Sequence, residues 1–522
     1  MRTPETKQPV PERDISNPEV QKMLLLDQDP RLLQPIAEFA SKIKSLPPDP
    51  KYPDLEPQAY LVGGFVRDAL LGLHPKDADL EVMGVSAERL EELLDQMFPE
   101  KVEKVGQQFV VLKVHIDENL DFDVATPRRD SKTGKGYTGF TVQSDPSMTI
   151  KEASLRRDLT WNAIYADVLT GEVIDPHGGI EDLKNKILRV IDPKTFMEDP
   201  LRILRVVQFV ARLDCEIEPE SKELLKKMVA ENMLTELPPD RITAELEKLL
   251  FKSAQPSKGF ETARELGIIE KHMPELHALI ETPQEPEFHP EGNVWIHTMM
   301  VIDQAAKIIN KEDCGLTDQE KLEVMLGALC HDFGKPETTK EEDGRIKAHG
   351  HEEAGVEPAK EFLSRLSFNQ KVVKSVLLTT AQHLKPAQLY KEMEKGKLDE
   401  KKYASAVRRL MKRIRPVSWK VLAAVAESDS RGRTIPGADT DPYLPGEAMA
   451  KAVREYNLDA EAKENLVGGD DIISIANSLG KEVKPGIIFG QWISAIEDMR
   501  DRDEIYTREE ALEKLKELIK NN

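Results

Sequence analysis

Four aspartates at alternating positions carry the first chemistry in the sequence. Asp77 and Asp79 flank Ala78 at the start of the run LEVM, and Asp121 and Asp123 alternate in LDFDV. Residues i and i+2 of a strand point to one face, so Asp77 and Asp79 can together hold one or two Mg²⁺ ions. Asp123 is the one expected to face them from the later strand. Upstream, Gly63-Gly64 follows the run YLV, and Arg67 lies about one turn into the helical pattern after it. Glycines at such a turn let backbone N–H groups approach phosphates at a helix N-terminus, and Arg67 could reach the same phosphates. Singly, Gly-Gly reads as a packing turn and DxD as a solvated one. Together, within 17 residues on a strand–helix–strand frame, they are far more specific. The matching chemistry is attack of an RNA 3′-hydroxyl on the α-phosphorus of a nucleoside triphosphate, with pyrophosphate leaving. Paired cations activate the hydroxyl and neutralise the triphosphate.

A second group is made of histidines. Six of the 11 fall between positions 289 and 383, and none follows. His297 lies in WIHTM, His331-Asp332 in LCHDFGK, His349 and His351 in AHGHEEAG, His383 in AQHLK, and Asp429 follows in AESDSRGR. Neutral imidazoles with carboxylates suit a divalent transition metal such as Ni²⁺, Mn²⁺ or Co²⁺. His74, His115, His177, His272 and His277 show no such pattern and read as structural or surface residues. His289, before a proline, takes no role.

These residues need elements to position them. Positions 31–46 have helical apolar spacing and stop at Pro47-Pro48. From about 59 the pattern alternates strand and helix: AYLVGG, DADLEVMG, FVVLKVHI and LDFDVAT as strands, FVRDALLG and SAERLEELLDQM as helices, with Ser86 as N-cap. Asp130–Gly139 reads as a Gly/Lys-rich loop, and YADVLTGEVIDP as a hairpin turning at Thr170-Gly171. From about 196 the helical period dominates, with Pro/Gly-rich breaks near 282–292 and 434–446. The fold class is α+β: a small mixed-sheet head followed by all-α domains. The expected division is a disordered tail 1–30, a head 31–195 with its leading helix 31–46, a helical neck 196–282, a His-rich domain 283–435 and a helical C-terminal domain 436–522.

On these residues the chain resembles a known family. YLVGGFVRDALLGLHPKDADLEVMG looks like the active-site segment of bacterial CCA-adding tRNA nucleotidyltransferases and the related poly(A) polymerases, the class II, polymerase-β-like group. LRRDLTWNAI, EVIDPHGGIEDL, EDPLRILRVVQFVARL and LPPDRITAELEKLL resemble the segments that follow, in order, and the likeness spans roughly 59–522. It implies that Gly64 and Arg67 bind nucleotide, beside Gly63, and that Asp77 and Asp79 bind Mg²⁺. Arg157 would contact ribose or phosphate, with Asp158 a ribose-side or structural partner. Asp199, Arg202 and Arg205 would form a nucleotide-selecting face. RRDSKTGKGYTGF resembles the mobile loop of full CCA-adding enzymes. His331-Asp332 with its neighbours resembles the HD phosphohydrolases. That likeness implies one metal on His297, His331, Asp332 and Asp429, a second completed by His351 and His383, and a phosphate contact from Lys335. A water activated there would hydrolyse a phosphoester, as in family members with cyclic phosphodiesterase, 2′-nucleotidase and phosphatase activity.

Hydrogen-bond chemistry tests the selecting face. A carboxylate only accepts and a guanidinium only donates. Cytosine and adenine both present an amino donor beside a ring-nitrogen acceptor; guanine and uracil present the reverse. One Asp–Arg pair on a shared helix face therefore fits C and A. Unpaired groups against G and U can discriminate by about 10⁴. The competing reading of Asp199 and Arg202 is a surface i,i+3 ion pair worth about 0.3 kcal/mol.

The resulting expectation is addition of CCA to tRNA from CTP and ATP, with a phosphohydrolase activity beside it. The rivals are a poly(A) polymerase or an A-only or CC-only enzyme, and an HD phosphohydrolase whose head merely binds RNA. The formal charge of −21 argues against a broad basic surface for arbitrary RNA. The basic stretch 401–420 reads equally as an RNA groove or as a helix neutralising acidic neighbours. No apolar run is long enough to span a membrane, the N-terminus has no secretory pattern, and three cysteines without a CxxC pair fit a reducing cytoplasm. Nothing in the pattern specifies an oligomeric state.

Overall fold

A computed structural model of the chain describes residues 14–105, 111–132, 140–458, 466–501, 504–505 and 507–521. They form two compact units, one of Met1–Ser253 with Lys258–Ile268, the other of Ala254–Ser257 with Ile269–Asn522.

The first unit begins with helix α1 (Pro18–Leu26), where a disordered tail was expected over 1–30. The helix has a start signal and something to bury. Asn17 accepts the Glu19 N–H at 2.9 Å, Pro18 opens the first turn, and Leu24 and Leu25 are buried. Residues 1–13 lie outside the described part. Helix α2 (Pro30–Lys44) buries one stripe, Leu32, Ile36, Phe39 and Ile43. Its Phe39 meets Phe122 of the sheet with ring centroids 6.4 Å apart. Each such aliphatic or aromatic burial stabilises by about 1.5–3 kcal/mol.

The sheet is assembled from β1 (Gln58–Val62), β2 (Asp77–Met83), β3 (Val102–Val105), β4 (Val111–Asp117) and β5 (Leu120–Ala125). Beyond a separate hairpin of β6 (Arg128–Lys132) and β7 (Phe140–Ser144), β8 (Tyr165–Asp167) and β9 (Val173–Ile174) complete it. Its order is β3-β4-β5-β2-β1-β8-β9. Within this sheet only β2 and β5 run parallel, in the register Asp77 opposite Asp121 and Asp79 opposite Asp123. Helix α3 (Gly64–Leu70) leaves β1, and α4 (Ala87–Met97) leaves β2. Ser86 stands at the start of α4 but does not cap it; its hydroxyl donates to the buried Asp49 carboxylate at 2.7 Å. Asp130–Lys132, expected in a loop, belong to β6. Residues 133–139 lie outside the described part. The hairpin at Thr170-Gly171 forms as expected, with Gly171 at φ 70°.

In the second unit four helices surround the histidines: Val294–Ile309, Asp318–Cys330, Gln370–Gln382 and Trp419–Arg431. Their starts are written in the sequence. Asn293 accepts the Ile296 N–H at 3.0 Å, Asn369 accepts that of Val372 at 2.9 Å, and Thr317 with Glu320 forms a capping box. One hairpin interrupts the helices, Thr339–Glu342 against Arg345–Ala348. Asp343-Gly344, both at positive φ, supplies the tight turn. The basic segment 401–420 carries helix Glu400–Ile414, which buries Tyr403, Val407, Leu410 and Ile414. Its Lys412 sits 3.9 Å from Glu497 and its Arg413 donates to Gln382 at 3.1 Å. Towards the C-terminus a small core gathers Val467, Ile472, Ile496 and Leu515. Among the described residues no helix is long and apolar enough to cross a membrane.

Candidate active sites

The parallel pairing of β2 with β5 gathers the acidic residues of the first unit. Asp79 and Asp123 are direct neighbours across the ladder, and Asp77 lies two residues back on the same face. Lys113, from β4, reaches both acidic residues of β5, 3.1 Å from Asp121 and 2.9 Å from Asp123. Asp79 faces outward from the sheet, crowded by its acidic neighbours. Desolvation raises its pKa, Asp123 and Asp77 add to the rise, and Arg157 opposes it. A carboxylate disfavoured in its ionised form, grouped with others on one face, fits a divalent-metal seat.

Gly63 closes this site from the other side. Its φ of 77° favours glycine, and a Cβ there would lie 3.0 Å from Asp79 Oδ2 and 3.2 Å from an Arg157 Nη1. Gly64 then begins α3. Arg67, expected at the phosphates, is buried instead in an internal network. Nη1 donates to Asn162 at 2.7 Å, Nε donates to Asp68 at 2.7 Å, and the guanidinium lies over the Phe209 ring at 4.9 Å. In this arrangement Arg67 ties α3 to its neighbours.

Asp158 is buried and accepts from the Leu159 N–H, Asn162 Nδ2 and Arg205 Nε at 2.9, 2.8 and 2.8 Å. Against its burial, Arg205 and Asn162 hold its carboxyl far below the usual range. Asp199 and Arg202 do not share a helix face, contrary to expectation. Pro200 intervenes, so helix Leu201–Leu213 starts after Asp199, which is extended at φ −117°. Nor is the i,i+3 ion pair found. Asp199 Oδ1 accepts the Leu201 N–H at 3.1 Å, and Oδ2 lies 3.6 Å from Arg241. Arg202 donates to the backbone carbonyls of Thr195 (2.8 Å) and Arg156 (2.5 Å). Two carbonyls thereby fix the plane of its guanidinium. Sequence reasoning missed Glu81, buried on β2, which accepts from Arg156 at 2.7 Å and from the Tyr165 hydroxyl. Its strand alternation with Asp79 was the available signal. Lys113 had none.

In the second unit His297, Asp429 and the His331-Asp332 pair come from separate helices or their ends and meet in the interior, all nearly or wholly buried. The candidate ligand atoms of His297, His331 and Asp429 lie within 4.8 Å of one another, as do those of Asp332, His351 and His383. Asp332 stands between the groups, Oδ2 at 3.1 Å from His331 Nε2 and Oδ1 at 3.4 Å from His351 Nε2. His331, His351 and His383 each donate Nδ1–H to the carbonyl three residues earlier, at 2.8, 2.7 and 2.8 Å. That bond leaves Nε2 as the nitrogen with the lone pair. Nε2 of His383 is buried without a hydrogen-bond partner, and that of His331 has only the adjacent Asp332 carboxylate beside it. Burial drives the His383 imidazole down to about 4, so it stays neutral. Buried imidazole nitrogens converging beside carboxylates are what a divalent metal requires.

Gly334 lets this site close: a Cβ on it would meet the His351 carbonyl oxygen at 2.1 Å and the Gly355 nitrogen at 2.4 Å. A cavity of about 260 Å³ opens onto the group and is lined by Phe288, His289, Lys335 and Arg433 among others. Lys335 bridges Asp332 Oδ2 (2.7 Å) and Gln284 (2.6 Å), and Arg433 clamps both oxygens of Asp429 at 3.1 and 3.2 Å. His349, although in the histidine-rich segment, is exposed and outside these groups. Glu291, Gln284 and Arg433 were not anticipated.

Comparison with known proteins agrees with this division of chemistry. Residues 59–189 match the family model of the poly A polymerase head domain, 214–280 that of the probable RNA and SrmB-binding site of polymerase A, and 294–454 that of the HD domain. Head and cluster together define a nucleotidyltransferase of the poly(A) polymerase class joined to an HD domain. Multifunctional CCA proteins of Stenotrophomonas maltophilia and Burkholderia mallei are each 35% identical to the chain. The first aligns over 412 residues, 78% of this chain and 93% of its own, and the second over 422 residues, 79% and 94%. The chain belongs to the multifunctional CCA protein family. Its fold is also that of solved CCA-adding enzymes. The Thermotoga maritima enzyme complexed with tRNA has a TM-score of 0.55 at 22% identity, and a CCA-adding enzyme with CTP has 0.57 at 23%. Each comparison covers 96% of this chain and 98% of the other.

Proposed function

We propose that this protein completes the 3′ end of tRNA with C, C and A, taking CTP twice and ATP once, and that its second unit hydrolyses phosphoesters. The observation that carries the first activity is the in-register meeting of Asp79 with Asp123 beside Asp77, at the Gly63-Gly64 turn. Asp77 and Asp79, with Asp123, would hold Mg²⁺, which supplies activation of the 3′-hydroxyl and neutralisation of the triphosphate. The residues around it do the rest. Gly63 and Gly64 offer backbone room for phosphates, while Arg157 balances the acidic group and contacts ribose or phosphate. Asp158 and Arg205 brace the helix on which Arg202 sits. Asp199, just ahead of the helix rather than on its face, would accept from the Watson–Crick edge of C or A, and Arg202, in its first turn, would donate to it, so that the protein serves as its own template. The tRNA acceptor end would be gripped by shape and phosphate contacts.

In the second unit His297, His331, Asp332 and Asp429, with His351 and His383, would hold a transition metal such as Ni²⁺, Mn²⁺ or Co²⁺. Such an ion supplies an activated water. Lys335 and Arg433 line the cavity where a phosphate would lie. The functional regions are read as a head over 31–195, a neck over 196–282, an HD region over 283–435 and a tail over 436–522, in a protein of the cytoplasm.

Paired variants test the assignment. Asp77→Ala should abolish nucleotide incorporation into tRNA and spare hydrolysis of a 2′,3′-cyclic nucleotide, and His331→Ala the reverse. Incorporation surviving in Asp77→Ala would overturn the proposal.

A further inference from the structure

The imidazoles around the second site are anchored in two different ways. Three are tied to their own backbone, as described for His331, His351 and His383. His297 sits one turn into helix Val294–Ile309, and its Nδ1 lies 2.9 Å from Glu291 Oε1. A carboxylate can only accept, so Nδ1 carries the hydrogen and Nε2 is left to face Asp429 Oδ1 at 3.1 Å.

Glu291 is itself held on every side. Its side chain is 1% exposed, and the same Oε1 also accepts from His289 Nδ1 at 2.9 Å. Oε2 takes the Thr434 N–H at 3.2 Å and lies 3.4 Å from its hydroxyl. Thr434 follows Arg433, which clamps Asp429, and His289 lines the cavity. One buried carboxylate thus joins the linker before the first helix to both ends of the His297–Asp429 pair.

We infer that Glu291 is a positioning residue for this metal site. It fixes the ring plane and hydrogen placement of His297 and, through Thr434, the Arg433 clamp on Asp429, without binding the metal itself. The inference rests on the metal-site reading given above. Carboxylates behind a ligating imidazole typically contribute about 10–100-fold in metal affinity.

The test is calorimetric titration of the metal-stripped, full-length protein with Ni²⁺ in excess Mg²⁺, comparing wild type, E291A, E291Q and H331A. E291A should bind about 10–100-fold more weakly with its stoichiometry unchanged and its far-UV circular dichroism unaltered. E291Q should recover part of the loss, because its amide oxygen still accepts from Nδ1. E291Q also keeps the comparison open if E291A does not fold. Hydrolysis of a cyclic nucleotide should need correspondingly more metal for half-activation and reach a similar kcat at saturation. Equal affinity in wild type and the Glu291 variants would overturn the inference. So would loss of a whole equivalent of Ni²⁺, which would make Glu291 a ligand. Indistinguishable binding by wild type and H331A would instead defeat the metal-site reading, and the inference with it.

Discussion

Arg202 donates through Nη2 to the backbone carbonyl of Arg156, the residue just before the arginine whose charge favours the Asp79 carboxylate. A single dipeptide thus connects the acidic group on the sheet with the arginine proposed to meet the incoming base. Under the proposed assignment, base choice and phosphoryl transfer would share this support.

Arg202→Ala should therefore relax base choice as well as slow addition. With tRNA ending at the discriminator base, the ratio of CMP to UMP incorporation should fall at least about tenfold, the loss of one directional hydrogen-bond pair. Arg202→Lys should not restore it, because an ammonium cannot bridge the Thr195 and Arg156 carbonyls in one plane. Single-nucleotide incorporation assays measure both, and unchanged selectivity in Arg202→Ala would count against the selecting role.

Asp79→Asn separates function from stability. The folded protein disfavours the Asp79 carboxylate through the protein atoms crowded around it and through Asp123 and Asp77. A neutral isostere relieves that cost in the metal-free protein. Urea denaturation in chelator should show a midpoint at or above that of wild type. Incorporation should fall by about 10³ or more, since several kcal/mol of charge stabilisation are removed. A large drop in stability would mean that the carboxylate holds the fold together.

Gly63→Ala should damage both. The left-handed backbone at φ 77° would strain an alanine, and its Cβ would press on Asp79 and Arg157. The strain costs about 1–3 kcal/mol, and the displaced carboxylate should cost most of the incorporation activity. Denaturation and assay of the same preparation check the pair of effects. Wild-type activity in this variant would remove Gly63 from the site.

Much of the acidic site and of the histidine cluster is legible in the amino-acid sequence. The alternation of Asp77 with Asp79 and of Asp121 with Asp123 follows from the strand period, and the histidine clustering from counting. The helix starts at Asn293, Thr317 and Asn369 are local signals. What sequence does not reveal depends on contacts distant along the chain. The buried seat of Arg67 is set by Asn162 and Phe209, and the position of Lys113 by its neighbouring strand. The Ser86 hydroxyl turns to Asp49, 37 residues away. Other differences have local causes. Pro200 argues against a helix through Asp199, Asp343-Gly344 is a hairpin signal, and Asn17-Pro18 is a helix start.

The thiols offer an independent check on packing. Burial pushes the Cys215 thiol up to about 12 and that of Cys330 well above the ordinary range, whereas Cys314 is partly exposed. At pH 8 a thiol reagent should modify Cys314 fast and the other two only on unfolding. Rapid reaction of all three in the native protein would contradict the buried environments described for Cys215 and Cys330.

The most direct measurement is incorporation of labelled CTP and ATP, separately and together, on tRNA that ends at the discriminator base. CTP alone should add two C residues and stop, ATP alone should add essentially nothing, and both together should yield a single completed CCA end. Failure to incorporate CMP, or open-ended addition of A, would contradict the account.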